Sequence, residues 1–438
     1  MDYSPLPQPP MARVRVPPDR LTSWRRRIVA VCFVTYACHY LGRVNLSVTV
    51  PALRGAYGWD KAAIGVIGTA FYWAYAVGQL INGPLGDRVS PRRLVAVGLM
   101  ASALLNVAFG SIGGALPWLV VLWAFNGWAQ ASGWAPIIRT LSRWFEPAQR
   151  GRVTAFIGPS YLVGHAASWA LAGALIARFG WRYAYWVPGV LLLAAAGLWY
   201  TLARDEPGGA SAEDAPTSAG GRPRALAGLG IAWQGPMRWA TAVSLLSGMV
   251  KEGLNLWGPT YLVEEQSLGV LGAALSGLLI PGAGIVGQVV TSRVQQRVAR
   301  GQERPIVAGL GVVVALGAGA LFVVSGSGSL AAALGTLALV AAGSHGMNSL
   351  LMASLPLSLG SRAPVSGVTG ALNFCQYLGA GLGAALVGGL VDRLGWGAAY
   401  GCWVACALLI AVVAGWARRR RAPRGEPPGY LRCKPLRG

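Results

Sequence analysis

Long apolar runs, separated by short clusters of charged, glycine and proline residues, recur from residue 28 to residue 418 of this 438-residue chain. Each run holds about 18 or more residues, the length a helix needs to cross a hydrocarbon layer about 30 Å thick. Helices are the expected form, because a backbone exposed to lipid must satisfy its own hydrogen bonds. The runs predict spans at 28–50, 62–82, 93–113, 116–138, 153–176 and 182–203. A polar stretch rich in Gly, Ala, Ser, Pro and charge interrupts them, as a linker does. Six more spans follow at 239–262, 270–290, 306–325, 329–354, 365–390 and 396–418. The chain therefore divides into an N-terminal segment (1–27), a six-helix bundle (28–203), a linker (204–238), a second six-helix bundle (239–418) and a basic tail (419–438). The fold class is an all-α membrane protein of about twelve transmembrane helices. Two pseudo-symmetric halves of this kind enclose a site near the membrane midplane.

Composition agrees: 54% of residues are hydrophobic, 12% are charged and the mean hydropathy is +0.49, values that exclude an ordinary soluble enzyme. The formal charge of +22 raises the question of nucleic acid. The basic residues, however, sit in clusters between spans, which reads as topology. Arg88, Arg92 and Arg93 follow span two, Arg139, Arg143, Arg150 and Arg152 surround the turn after span four, and Arg293, Arg297, Arg300 and Arg304 follow span eight. These connections are expected in the cytoplasm, and with them both termini, in a multi-pass protein of the cell (inner) membrane. On the opposite face the links after spans three and nine carry no charge, and the link after span seven carries Glu264 and Glu265. The six cysteines include no CxxC pair and no histidine at metal spacing, so no metal, disulfide framework or cofactor is expected. Polar, Pro- and Arg-rich residues precede the first run, so no cleavable signal peptide is expected. The expected partners are the bilayer and a small anionic solute, not nucleic acid, and the chain is expected to act as a monomer.

Two cations stand near the centre of apolar spans, Arg43 in span one and Lys251 in span seven. Lys251 lies about a dozen residues, or roughly 18 Å of helix rise, and Arg43 about seven residues, or roughly 10 Å, from the nearest end of its span, too deep to snorkel easily. Placing either there costs about 2.5–3.5 kcal/mol on insertion scales, so a function is the expected return. Counterparts in the two halves, they would form a positive pocket for an anion, above all a phosphate, which Arg holds bidentately and Lys as a point charge. Helical spacing places Tyr36, His39, Tyr40 and Ser47 near one stripe with Arg43, and Asn255 one turn after Lys251. Glu252, the one carboxylate deep in a span, points about 100° away from Lys251 on a helical wheel. It either neutralises a cation across the bundle or titrates and couples to protons. Tyr161 one turn before His165 on span five, His345 on span ten, and Tyr377 with Asn373 and Gln376 on span eleven supply a further ring of donors, although such groups also simply bridge helices.

After span two the sequence reads GPLGDRVSPRR, from Gly83 through Gly86, Asp87, Arg88 and Arg92 to Arg93, and this resembles the loop signature of the major facilitator superfamily. Its glycines allow close helix approach, and its acid can pair across a gate in one conformation only. The equivalent stretch of the second half, GQVVTSRVQQR, has Ser292 in place of the acid.

Arg43, GWAQASGWAP and RWFEPAQRGR around spans four and five, GWRYAYWVPG entering span six, WGPTYL after Lys251 and GALNFCQYLGAGLG on span eleven resemble the organophosphate:phosphate antiporter family over most of the chain. The resemblance implies alternating-access exchange of inorganic phosphate for a phosphorylated sugar or polyol, such as glycerol-3-phosphate or a hexose phosphate. It implies that Arg43 and Lys251 grip the phosphoryl group, with Tyr36, Tyr40, Tyr161 and Tyr377 near family tyrosine or histidine positions. Val44 and Gln79 depart from it, standing where the glycerol-3-phosphate type has lysines. RVNLSVTVP and RWFEPAQRGR also look like the anion:cation symporter family, which moves carboxylates with protons and would give Glu252 the coupling role. A third alternative is a sensor that keeps this fold and binds without flux.

Overall fold

A computed structural model describes residues 18–207, 237–298, 302–358 and 365–416. Residues 208–236 of the linker and the basic tail lie outside the described residues. All twelve expected spans are helical. Span one runs through Pro18–Leu41 and Asn45–Tyr57, span two is Lys61–Arg88, span three Pro91–Ser111, and span four Leu116–Gln130 with Trp134–Trp144. Span five joins Pro147–Ile157 to Ser160–Phe179, and span six is Tyr183–Leu202. In the second half, span seven is Arg238–Glu264, span eight Val270–Gly277 with Leu279–Gln296, and span nine Glu303–Ser325. Span ten begins as Leu330–Ser349 and continues through a π-helical turn at Leu350–Ser354, span eleven is Val365–Leu394 and span twelve Trp396–Trp416.

Ten of the described helical segments are long and apolar enough to cross a membrane. The two expected spans missing from that set have separate reasons. Span four is broken at 131–133, so neither piece has the length. Span seven has 27 residues but carries Lys251 and Glu252 at its centre and Arg238 and Glu264 at its ends. Span seven is enclosed by its neighbours, and Lys251 and Glu252 are each about 5% exposed.

Helix ends follow local chemistry. The Asp60 side chain accepts from the Ala63 amide (2.7 Å) to start span two, and Ser90 followed by Pro91 starts span three. The motif Gly83–Arg88, read from sequence as a loop, instead forms the last turns of span two, closed by the Val89 amide on Leu85 O at 2.9 Å. The side chains of Asp87 and Arg88 lie outside the described residues. Arg92 packs within the first half: its guanidinium covers the Tyr200 ring at 4.4 Å, and its amide binds Asp205 at 2.9 Å.

Small residues let backbones meet within each half. A methyl group on Gly164 of span five would fall on the Ala37 carbonyl of span one. In the second half Gly379 of span eleven stands in the same way against Leu245 of span seven, and Gly248 against Gln376. The equivalent helix pairs therefore use the same device in both halves.

Between the halves, span two lies along span eleven, with Thr69 Oγ1 donating to Gly381 O (2.6 Å) and Trp73 Nε1 to Leu378 O (3.2 Å). Span five meets span eight, where Trp169 packs on Gly277. At the end of the molecule bearing Tyr57 and Glu264, Arg54 and Lys61 of the first half pair with Glu264 and Asp392 of the second.

Candidate functional site

The site is built on an interruption of span one. The helix stops at Leu41 and restarts at Asn45, and Arg43 stands in the gap. A break deep in a bundle frees carbonyls whose loss of partners costs several kcal/mol. Amide side chains of neighbouring spans answer them. Gly42 O accepts from Asn106 Nδ2 (3.1 Å) and Asn126 Nδ2 (2.8 Å), and His39 O accepts from Gln130 Nε2 (3.0 Å). Asn45 locks the restart, donating to Asn106 Oδ1 (3.0 Å) and Ala184 O (2.9 Å). The continuous stripe drawn from sequence is thus divided at Arg43. Ser47 turns to Val44 O (2.6 Å) and Trp169 Nε1 (2.8 Å). His39 faces into the first half, its Nδ1 on Thr35 O at 2.9 Å.

Arg43 is 7% exposed and points across the interface. Its Nη2 donates to the Tyr377 hydroxyl of span eleven at 2.6 Å. The rings of Tyr40, Phe71, Tyr75 and Tyr377 surround the guanidinium at 4.5–5.4 Å, each such contact contributing about 0.5–2 kcal/mol. Tyr36 lies edge-on to Tyr40 (5.9 Å) and packs at a tilt against Trp134 (4.7 Å). Phe71, Tyr72 and Tyr75, missed by the sequence reading, were signalled by the AFYWAYA run of span two. Aromatics one turn apart on a helix usually mean packing, so the run by itself does not mark a site.

Lys251 faces the same interior but meets a partner at once: its Nζ lies 2.9 Å from Glu252 Oε1. The helical-wheel angle had separated the two, yet side chains of this length turn toward each other from adjacent positions. Asn255 Nδ2 donates to the other carboxylate oxygen at 3.2 Å, and the Tyr72 hydroxyl lies beside it. Glu252 is also within electrostatic range of Arg43, Tyr161, His165, His345 and Tyr377. The carboxylate therefore stands at the centre of the constellation.

The remaining candidates join from spans five, eight and ten. Tyr161 bridges the halves, its hydroxyl 2.8 Å from His345 Nδ1 and receiving Gln288 Nε2 at 2.6 Å. His165 packs on Tyr40 and edge-on to Trp169. Among the described residues His345 Nε2, His165 Nε2 and Asn255 Oδ1 have no hydrogen-bond partner. Buried and open in this way, they are groups a polar ligand would satisfy. Arg43, Ser47, Phe71, Tyr72, Trp123 and Asn255 line a cavity of about 20 Å³, room for little more than one water.

The model of the Major Facilitator Superfamily matches residues 32–384. The chain belongs to that superfamily. Among curated members, it is 26% identical over 317 residues to the probable hexose phosphate transport protein of Chlamydia trachomatis, covering 67% of this chain and 69% of that one. It is 26% identical over 425 residues to the glycerol-3-phosphate transporter of Bacillus subtilis, covering 91% and 94%. It is 24% identical over 316 residues to the membrane sensor protein UhpC of Salmonella typhimurium, covering 68% and 71%. Among solved superfamily structures, a bacterial homolog of the human lysosomal transporter Spinster, inward-facing and occupied, superposes with a TM-score of 0.70 at 16% identity, covering 90% of this chain and 96% of that one. The fold is therefore that of a superfamily transporter, and the resemblance to organophosphate transporters carried by the sequence motifs returns in the relatives.

Proposed function

We propose that this chain exchanges a phosphorylated sugar or polyol for inorganic phosphate by alternating access, with Arg43 and Lys251 gripping the phosphoryl group. The observation that carries the reading is Arg43, released from its helix by the break in span one and aimed across the interface at Tyr377. A guanidinium so placed offers a planar fork to a tetrahedral oxyanion. Lys251 supplies the second charge from the other half. Tyr36, Tyr40, Tyr161, His165, Asn255, His345 and Tyr377 supply hydroxyl, imidazole and amide contacts around it. The hexose phosphate and glycerol-3-phosphate transporters among the relatives support this choice of cargo.

The cavity of about 20 Å³ is too small for a sugar phosphate, so the halves part to admit one. The Arg-rich connections belong to the cytoplasmic face, which makes the end held by Arg54, Lys61, Glu264 and Asp392 the outer face, closed here. Gly83, Gly86, Asp87, Arg88, Arg92 and Arg93 serve the inner gate. The chain works in the inner membrane with both termini in the cytoplasm.

Radiolabelled phosphate exchange in phosphate-loaded proteoliposomes tests this reading. Wild type exchanges without an imposed pH gradient, and Arg43→Ala lowers the rate at least 100-fold while reconstituting normally. One feature, Glu252, favours a proton-coupled carboxylate symporter as the second reading. Gradient-driven carboxylate uptake by wild type, with no phosphate exchange, would establish that reading and reject the first. Binding of phosphate with no flux at all would mark a sensor.

A further inference from the structure

We infer that Glu252 is a built-in counter-ion that fits the site to a cargo of one net negative charge, so that it selects the monoanionic form of a phosphate compound over the dianion. The inference rests on the exchange reading above. Two basic side chains, Arg43 and Lys251, meet one carboxylate in this interior, which leaves one positive charge. Glu252 commits both its oxygens within its own helix: Oε1 to Lys251 Nζ at 2.9 Å and Oε2 to Asn255 Nδ2 at 3.2 Å. The pair is 6% and 7% exposed in its side chains, so solvent screens it little.

A monoanion brought to Arg43 completes neutrality. A dianion would leave a surplus negative charge in a buried site, where an uncompensated ion is strongly disfavoured. The groups facing Glu252 do not change this arithmetic. Tyr72 from span two, Tyr161 and His165 from span five, His345 from span ten and Tyr377 from span eleven surround it together with Arg43 and Lys251. The tyrosines are neutral donors. The two histidines present unpartnered Nε2 atoms in a site that already holds two cations. Among the described residues no second carboxylate reaches this centre, so Glu252 alone sets the balance.

Fixed-charge anions isolate the effect. Sulfate is a dianion and methyl sulfate a monoanion at every pH used, whereas inorganic phosphate passes from mainly monoanion to mainly dianion between pH 6 and pH 8.5. Competition against labelled phosphate on the purified full-length protein should give three results. In wild type, methyl sulfate competes at least tenfold better than sulfate, and phosphate affinity falls at least tenfold from pH 6 to pH 8.5 while that of methyl sulfate stays level. Glu252→Gln, with one more net positive charge, reverses the sulfate order and removes the fall. Glu252→Asp, which keeps the charge, retains the wild-type order and guards against a general folding defect. Equal competition by the two sulfates in wild type, or an order unmoved in a phosphate-binding Glu252→Gln protein, would overturn the inference while leaving phosphate exchange standing. Absence of phosphate binding and exchange in wild type would remove both.

Discussion

At the scale of single residues, the form of Arg43 is as important as its charge. Its guanidinium is stacked among four rings and bonded to one hydroxyl, so the plane of the fork is set before any ligand arrives. Arg43→Lys keeps the charge and loses the second hydrogen bond to an oxyanion, an interaction of about 1.5–3 kcal/mol. Phosphate binding, measured by titration calorimetry, should weaken by about 10- to 100-fold, with thermal unfolding little changed; equal affinity in the variant would refute a bidentate role. Arg43 and Lys251 were legible in the sequence because a cation in the middle of an apolar run is costly enough to need a reason. Tyr72 and Tyr75 were not, since aromatic residues in such a run need none. The partnership of Lys251 with Glu252 was hidden for a different reason. A helical wheel describes Cβ directions, and an ammonium and a carboxylate at the ends of flexible stems meet well away from theirs.

At the scale of the helix, apolar runs locate the spans but say nothing about where a span is interrupted. Hydropathy predicted span one and span four as single rods, and both are broken at the level of the site. The break in span one is a tertiary property: its freed carbonyls are satisfied by Asn106 of span three and by Asn126 and Gln130 of span four, each more than 60 residues away in sequence. In an alternative, unbroken helix Asn126 Nδ2 would lose its acceptor, whereas Asn106 and Gln130 would keep Ser102. Asn126→Leu removes one donor from Gly42 O and also leaves the Ser102 hydroxyl without its acceptor (2.6 Å). A loss of about 1–3 kcal/mol is expected for each buried polar group left open. The variant should unfold at a clearly lower temperature in detergent and bind phosphate more weakly, because the break that presents Arg43 is no longer held. Ser111→Ala, on an exposed helix end, should do neither. Normal stability and affinity in Asn126→Leu would mean the break is intrinsic to span one and needs no amide clamp.

At the scale of the whole molecule, the two halves are fastened at one end by charge. Glu264 accepts from Arg54, from Lys61 Nζ at 3.1 Å and from Trp396 Nε1 at 2.9 Å. Asp392 adds Lys61 Nζ at 3.6 Å and the Ala62 amide at 2.8 Å. Exposed pairs contribute only about 0–1 kcal/mol each. The Lys61 side chain is 8% exposed, however, and it joins two acids of the opposite half, so this corner acts as a network. Because these contacts exist only while that end is shut, their removal acts on the balance between conformations and not on folding within either half. A change of about 1–2 kcal/mol alters a population ratio by roughly 5- to 30-fold, enough to change which state of a two-state molecule predominates. Spin labels at Gly113 and Ser327, on links at this same end of the two halves, read that balance directly in a cysteine-free background. Glu264→Gln should add a longer-distance population that the parent lacks, and Lys61→Met should do so as well. The double substitution Lys61→Glu with Glu264→Lys should restore part of the short distance, since it rebuilds one arm of the network with reversed sign. If all three keep the parent distribution, close packing of span two on span eleven holds the end shut, and the ion pairs are passengers of that contact.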